Sequence, residues 1–113
     1  MSHVITLTEA NFEAEVVESA NPVLVDYWAP WCGYCRSLAP VIDQLAAERE
    51  GSLKVGKVNV DDEPGLQQAA GVQGIPAVIL YRDGQAVARV VGAQPKAALE
   101  LALGLDGVDA LAA

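Results

Sequence analysis

Basic residues are scarce in this chain. Seven Lys and Arg stand against fifteen Asp and Glu among 113 residues, a formal charge of −8. The seven (Arg36, Arg49, Lys54, Lys57, Arg82, Arg89 and Lys96) form no run. A phosphate backbone is repelled by such a balance, which argues against a nucleic-acid partner, and an anionic membrane is matched no better. Long apolar runs are missing too: no uncharged stretch approaches the ~20 residues that span a bilayer. Met1-Ser2-His3-Val4-Ile5-Thr6 lacks the basic region and apolar segment of a secretory signal, so a cytoplasmic location is expected. Histidine occurs once, at His3, and cysteine only twice, at Cys32 and Cys35. So few ligands complete no zinc or iron–sulfur set within one chain; only a bridging dimer could. A single cysteine pair is also a poor staple for a secreted miniprotein. Pro and Gly are scattered rather than clustered, so disorder is not expected over most of the length. The length suits one domain over residues 1–113. No second large apolar face is evident, so a monomer is expected.

Trp31-Cys32-Gly33-Tyr34-Cys35 is the stretch around which the rest is organised. It follows the apolar run Val23–Trp28, read as a central strand covered on both faces. A long amphipathic pattern follows, with Leu38, Val41, Ile42, Leu45 and Ala46 spaced for one buried stripe. The reading is strand, tight turn, helix, with two thiols at the helix start. One helical turn separates them, a spacing compatible with a closable disulfide. First-turn amides lack intrahelical acceptors and the helix field there is positive, which favours thiolate over thiol. In a reducing compartment such a pair is redox-active or metal-binding more often than structural.

The remaining elements follow from pattern and punctuation. Val4–Leu7 is a short strand, Asn11 a helix cap, and Phe12–Ser19 a short helix with Phe12, Val16 and Val17 inward. The long helix spans about Cys32–Glu50, with a kink near residues 36–40 from Pro40. Leu53–Val60 is a strand, in which Gly56 is expected to be a weak point. Asp61-Asp62-Glu63-Pro64 opens a short helix closed by Gly71. Ala77–Arg82 and Gln85–Val91 form a hairpin about Asp83-Gly84, and Pro95 opens a last helix to about Leu103. Gly104 and Gly107 punctuate the end, so residues 104–113 are expected as a loosely docked tail. Asp26 interrupts a strand that otherwise reads as core. Burial there raises its pKa, which suits a proton relay; the alternative is an exposed strand end.

Four landmarks then stand together: Val25-Asp26-Tyr27-Trp28-Ala29-Pro30-Trp31-Cys32-Gly33-Tyr34-Cys35-Arg36; Lys57-Val58-Asn59-Val60-Asp61; Val72-Gln73-Gly74-Ile75-Pro76; and Asp83-Gly84 with Val91-Gly92. On these, from Phe12 to Leu103, the chain resembles the thioredoxin family. The resemblance implies an α/β thioredoxin fold, a five-stranded mixed β-sheet flanked by four helices. It implies a thiol–disulfide oxidoreductase that reduces client disulfides. Cys32 corresponds to the exposed attacking nucleophile and Cys35 to the buried resolving thiol, cycling through a Cys32–Cys35 disulfide. Asp26 matches the proton relay, Lys57 the lysine that tunes it, and Pro76 a cis-proline facing the pair. Trp31, Gly33, Tyr34, Ile75, Pro76, Val91, Gly92 and Ala93 are the candidate client surface. No bound cofactor or metal is implied; electrons would come from NADPH through thioredoxin reductase, and clients would be disulfide-bearing proteins. The chief departure is Gly33-Tyr34 where the family usually has Gly-Pro. Tyrosine restores an amide donor and adds a ring, which leaves open an oxidising or isomerising bias, or a non-enzymatic binding or chaperone module. Smaller departures are Tyr27 for phenylalanine, Arg36 for lysine and Ala77 for threonine.

Overall fold

The computed structural model describes residues 3–107. Five strands form one mixed sheet in the order β1-β3-β2-β4-β5: β1 Val4–Thr6, β2 Val23–Trp28, β3 Lys54–Asn59, β4 Ala77–Arg82 and β5 Gln85–Val91. β3 runs parallel to both β1 and β2, whereas β4 is antiparallel to β2 and to β5. Three α-helices, α1 Gly33–Glu48, α2 Pro64–Ala70 and α3 Lys96–Leu103, join a π-helical segment Glu13–Val17 in covering the sheet. This is the fold the resemblance implies.

Strand alternation splits the interior into two layers. Val25, Tyr27, Val58, Ile79 and Tyr81 point to one face, where Val16, Phe12 and Leu66 meet them. Leu24, Val55, Val78 and Leu80 point to the other, against Leu38, Ile42 and Leu45 of α1 and Leu99 and Leu103 of α3. β2 lies at the centre and is buried from Val23 to Tyr27, so any side chain it carries is stripped of water.

Local rules account for most boundaries. α1 runs through Pro40 without a break, because its apolar stripe stays anchored on both sides of the proline. α2 starts with Pro64 in its first turn and stops at Gly71, which takes the left-handed conformation that glycine adopts without Cβ strain. At the β4–β5 turn Asp83 and Gly84 both have positive φ, 54° and 79°. A Cβ on Gly84 would lie 3.0 Å from the Val17 carbonyl, so the hairpin tip also packs on the π-helical segment.

Several expectations are corrected. The short helix expected over Phe12–Ser19 is confined to Glu13–Val17 and is π-helical: Glu18 N–H donates to the Glu13 carbonyl, five residues back. Phe12 occupies its cap position, and Asn11 instead accepts the Thr8 amide, closing the preceding turn. Val17 is 43% exposed rather than inward. Gly56 is no weak point: a Cβ there would sit 2.5 Å from Leu7 Cδ1 and 2.8 Å from Leu7 Cγ. Leu7 fills the space a side chain would occupy, so the glycine is what lets it into the core. Of the expected loose tail, Leu105 is fully buried. Arg49 holds this segment, donating to the Leu105 carbonyl at 2.9 Å and pairing with Glu100 and Asp106. The remainder of that expectation, residues 108–113, lies outside the described residues.

Candidate active site

The cysteine pair sits where β2 hands the chain to α1. Cys32 has extended geometry (φ −89°, ψ 112°) and occupies the cap position, with Gly33 the first helical residue. Its Sγ does what an Asn or Ser oxygen does at other helix starts: it accepts the Cys35 N–H, at 3.2 Å. Both cysteines are free thiols. Negative charge appearing on Cys32 sulfur therefore meets an amide donor and the positive end of α1. The exposed cysteine that the resemblance implies is corrected: Cys32 is only 7% exposed and Cys35 2%. The sulfur is turned back onto the helix and lies 3.9 Å from the Ile75 carbonyl, so most of its area faces protein.

Asp26 lies in the middle of β2, 1% exposed, on the α1 face. Its Oδ1 has no hydrogen-bond partner among the described residues. Burial raises its pKa from 3.8 to about 7; the Lys57 ammonium opposes the rise and the Asp43 carboxylate adds to it. Lys57 is the register partner of Asp26 across the parallel β2–β3 pair, and its Nζ lies 5.8 Å from the centre of the Trp28 ring. Burial first, then the bond to Cys32 and the charges on Cys32 and Asp26, push the Cys35 thiol well above the ordinary thiol range. A thiol so disposed ionises readily only with help from a base, and Asp26 is a carboxyl whose field it feels.

Around the pair lies a rim of backbone and exposed apolar side chains. The Ile75–Pro76 peptide is cis, and Pro76 is buried with Ile75 partly exposed above it. Gly92 donates its N–H to the Pro76 carbonyl at 2.8 Å, holding the Val91-Gly92-Ala93 corner beside the proline. Its φ of 100° is open to glycine and strained for other residues. Trp31, Tyr34 and Val91 are 68, 73 and 55% exposed, and Gly33 and Ala93 are exposed as well.

Three contributors were not foreseen. Asp61 accepts the Trp31 indole N–H, at 3.0 and 3.3 Å to its two oxygens, and so orients the ring. The sequence marks Asp61 as a helix-opening acid and as the last residue of the second family landmark; an exposed indole donor beside the thiols is the signal for its contact with Trp31. Asp43 enters through its charge on Asp26. Tyr27, read as a simple departure from phenylalanine, shares a 2.6 Å hydrogen bond with Tyr81 inside the core. Among the described residues no group of three or more His, Cys, Asp or Glu is placed to hold a metal ion, and no helix is long and apolar enough to cross a membrane.

Comparison with known proteins adds independent support. The family model described as Thioredoxin matches residues 3–104. The chain is 48% identical to thioredoxin 1 of Synechococcus elongatus, over 88% of this chain and 92% of that one. It is 47% identical to thioredoxin 1 of Nostoc sp., over 91 and 96%, and 48% identical to thioredoxin of Haemophilus influenzae, over 88 and 92%. With the dithiol at the head of α1 and the sheet order already described, the chain belongs to the thioredoxin family and is a thiol–disulfide oxidoreductase of the thioredoxin type.

Proposed function

We propose that this protein reduces disulfides in client proteins, taking electrons from NADPH through a thioredoxin reductase, and that it works as a cytoplasmic monomer built as one domain. An extended client segment lies along the Ile75 backbone in strand fashion, its side chains against Trp31, Tyr34 and Val91. Cys32 thiolate attacks one client sulfur. The client S–S bond breaks, a Cys32–client disulfide forms, and the first client thiolate leaves. Asp26 carboxylate then takes the Cys35 proton, and Cys35 attacks Cys32 Sγ. The mixed disulfide breaks, the Cys32–Cys35 disulfide forms, and the second client sulfur leaves as thiolate. The client has gained two electrons and the dithiol has lost two. The second step is fast because Cys35 is already held one turn from Cys32. Lys57 tunes Asp26 through its charge.

One observation carries this reading: two free thiols share the head of α1, the Cys32 sulfur accepting the Cys35 N–H at 3.2 Å, with the buried Asp26 carboxyl on the central strand that leads into them. Insulin reduction coupled to NADPH and a thioredoxin reductase tests it. Turnover is expected for the intact protein and none for Cys32→Ser, with Cys35→Ser trapping the mixed disulfide. Absence of turnover by the intact protein refutes the reading.

A second reading, an oxidising or isomerising bias, rests on Tyr34. As the second residue of α1 it carries an amide N–H that proline would lack, next to the Cys35 N–H already donated to Cys32. Equilibrium with glutathione separates the two. A potential of about −270 mV supports the reductant, and one near about −180 mV supports the second reading.

A further inference from the structure

A groove of about 260 Å³ opens beside Trp28, and Asp43, Lys57, Asn59 and Asp62 are among its walls. Its opposed charges come from different elements. Lys57 belongs to β3 and is paired in register with Asp26; Asp43 belongs to α1, about two turns beyond Cys35. Trp28, the aromatic wall, follows Asp26 by two residues along β2 and so leans toward the same side of the strand.

The charges around Asp26 can be taken element by element. β3 presents the Lys57 ammonium, and α1 presents the Asp43 carboxylate and the Cys35 thiol. β4 presents Val78 directly opposite, which is apolar. Asp62 lines the same groove as the Lys57–Asp43 pair. Lys57 by itself draws the buried carboxyl toward permanent ionisation, which would make it a weak base for a reluctant thiol. Burial is what keeps that pull from winning, and the Asp43 carboxylate, which shares the groove with Lys57, adds to burial and offsets part of the lysine's effect. Asp43 is exposed and has no hydrogen-bond or ion-pair partner among the described residues. Its substitution therefore breaks no hydrogen bond or ion pair among the described residues.

We propose that Asp43 is a positioning residue of the proton relay: across the groove beside Trp28 its carboxylate offsets the Lys57 ammonium that stands in register with Asp26. The proposal rests on the reading of Asp26 as the base for Cys35.

Asp43→Asn in the full chain tests it. Two quantities are read: the Asp26 carboxyl titration by ¹³C NMR, and the pH profile of client release from the Cys32 mixed disulfide. Both midpoints should fall by roughly 0.1–0.5 pH unit at low salt, the size expected for removing one charge that acts through a largely aqueous medium. The difference should fade toward 1 M salt, where screening acts within about 3 Å. Asp43→Glu should restore the wild-type midpoint, and Lys57→Met should move it upward. A midpoint unmoved or raised by Asp43→Asn at low salt overturns the proposal. Asp26→Asn separates this from failure of the underlying reading. If the release profile keeps its inflection without the Asp26 carboxyl, the relay reading falls, and the role of Asp43 with it. If the inflection disappears in Asp26→Asn yet does not move in Asp43→Asn, only the role of Asp43 falls.

Discussion

Replacing Asp26 by Asn should make this protein more stable and a poorer enzyme, and the first effect can be sized from the structure. The carboxyl is 1% exposed, and its pKa rises from 3.8 to about 7 through burial, with Lys57 only partly countering. A group whose pKa rises on folding binds its proton more tightly in the native state. Between about pH 4 and pH 7 the native protein therefore holds more of this proton than the unfolded chain does, and stability falls as pH rises through that window. Below about pH 4 both states are protonated and the penalty is absent. Above about pH 7 it is complete. A rise of about three pH units, at ~1.4 kcal/mol each, corresponds to about 4 kcal/mol at pH 8. Asparagine removes the charge while keeping the shape, and Oδ1 has no hydrogen-bond partner among the described residues to lose. Urea unfolding at pH 8 and pH 3.5 measures the effect. With an m-value near 2 kcal/mol/M, the Asp26→Asn midpoint should lie roughly 2 M higher at pH 8 and close to wild type at pH 3.5. A gain below ~1 kcal/mol at pH 8 would refute the assignment. So would an equal gain at both pH values, because that points to packing rather than ionisation.

Three other substitutions probe the frame around the site. Gly56→Ala should destabilise by ~1–3 kcal/mol in urea, since its Cβ would collide with the buried Leu7 side chain; a neutral result would show that Leu7 can move aside. Tyr27→Phe should cost ~1–3 kcal/mol by leaving the Tyr81 hydroxyl alone in the core, whereas Tyr27→Phe with Tyr81→Phe should lie close to wild type. If the single and double variants prove equally stable, the hydroxyl pair contributes nothing. Arg49→Met should cost roughly 2–3 kcal/mol, because it frees the Leu105 carbonyl and leaves Glu100 without its buried partner. Amide exchange at residues 104–107 should accelerate in that variant; unchanged exchange there would mean that burial of Leu105 alone anchors the segment.

Much of this architecture was legible because it depends on neighbours in sequence. The nearly continuous apolar run Val23–Trp28, the α1 stripe from Leu38 to Ala46, the Asp83-Gly84 turn and the Pro64 and Gly71 boundaries each follow from periodicity or backbone freedom, and the structure has all of them. What was missed depends on pairs far apart in the chain. Gly56 looked like a flaw in a strand until Leu7, forty-nine positions earlier, was seen to occupy its side-chain space. Tyr27 looked like an idle hydroxyl until Tyr81 met it. Asp61 and Asp43 carry no local signature of what they do; each matters through a group contributed by another element. The π-helical segment escaped because an amphipathic pattern of five residues is too short to separate a π turn from an α turn. The shielding of Cys32 escaped for another reason. Sequence places a sulfur at a helix start, but not whether it turns outward or folds back as the cap.

The most buried acid and the most buried thiol of the site occupy a part of the fold with no surplus of polar partners, and that is what gives them their chemistry. β2 is the central strand, with β3 and β4 hydrogen-bonded on its two sides and helices over both faces. A carboxyl placed there loses its water whatever its neighbours are, so its pKa must rise unless a cation sits directly on it. Lys57 is near enough to limit the rise but stands partly in solvent over the Trp28 ring, and Oδ1 has no hydrogen-bond partner among the described residues. Had evolution placed a full ion pair at Asp26, the strand would be more stable and the carboxylate too weak a base to help Cys35. With Asp26 as the proposed base for Cys35, stability and proton transfer are thus set against each other at one atom. A cation moved into hydrogen-bonding distance of Asp26 should therefore raise stability above pH 7 and slow client release together, and a variant that raised both would contradict this account.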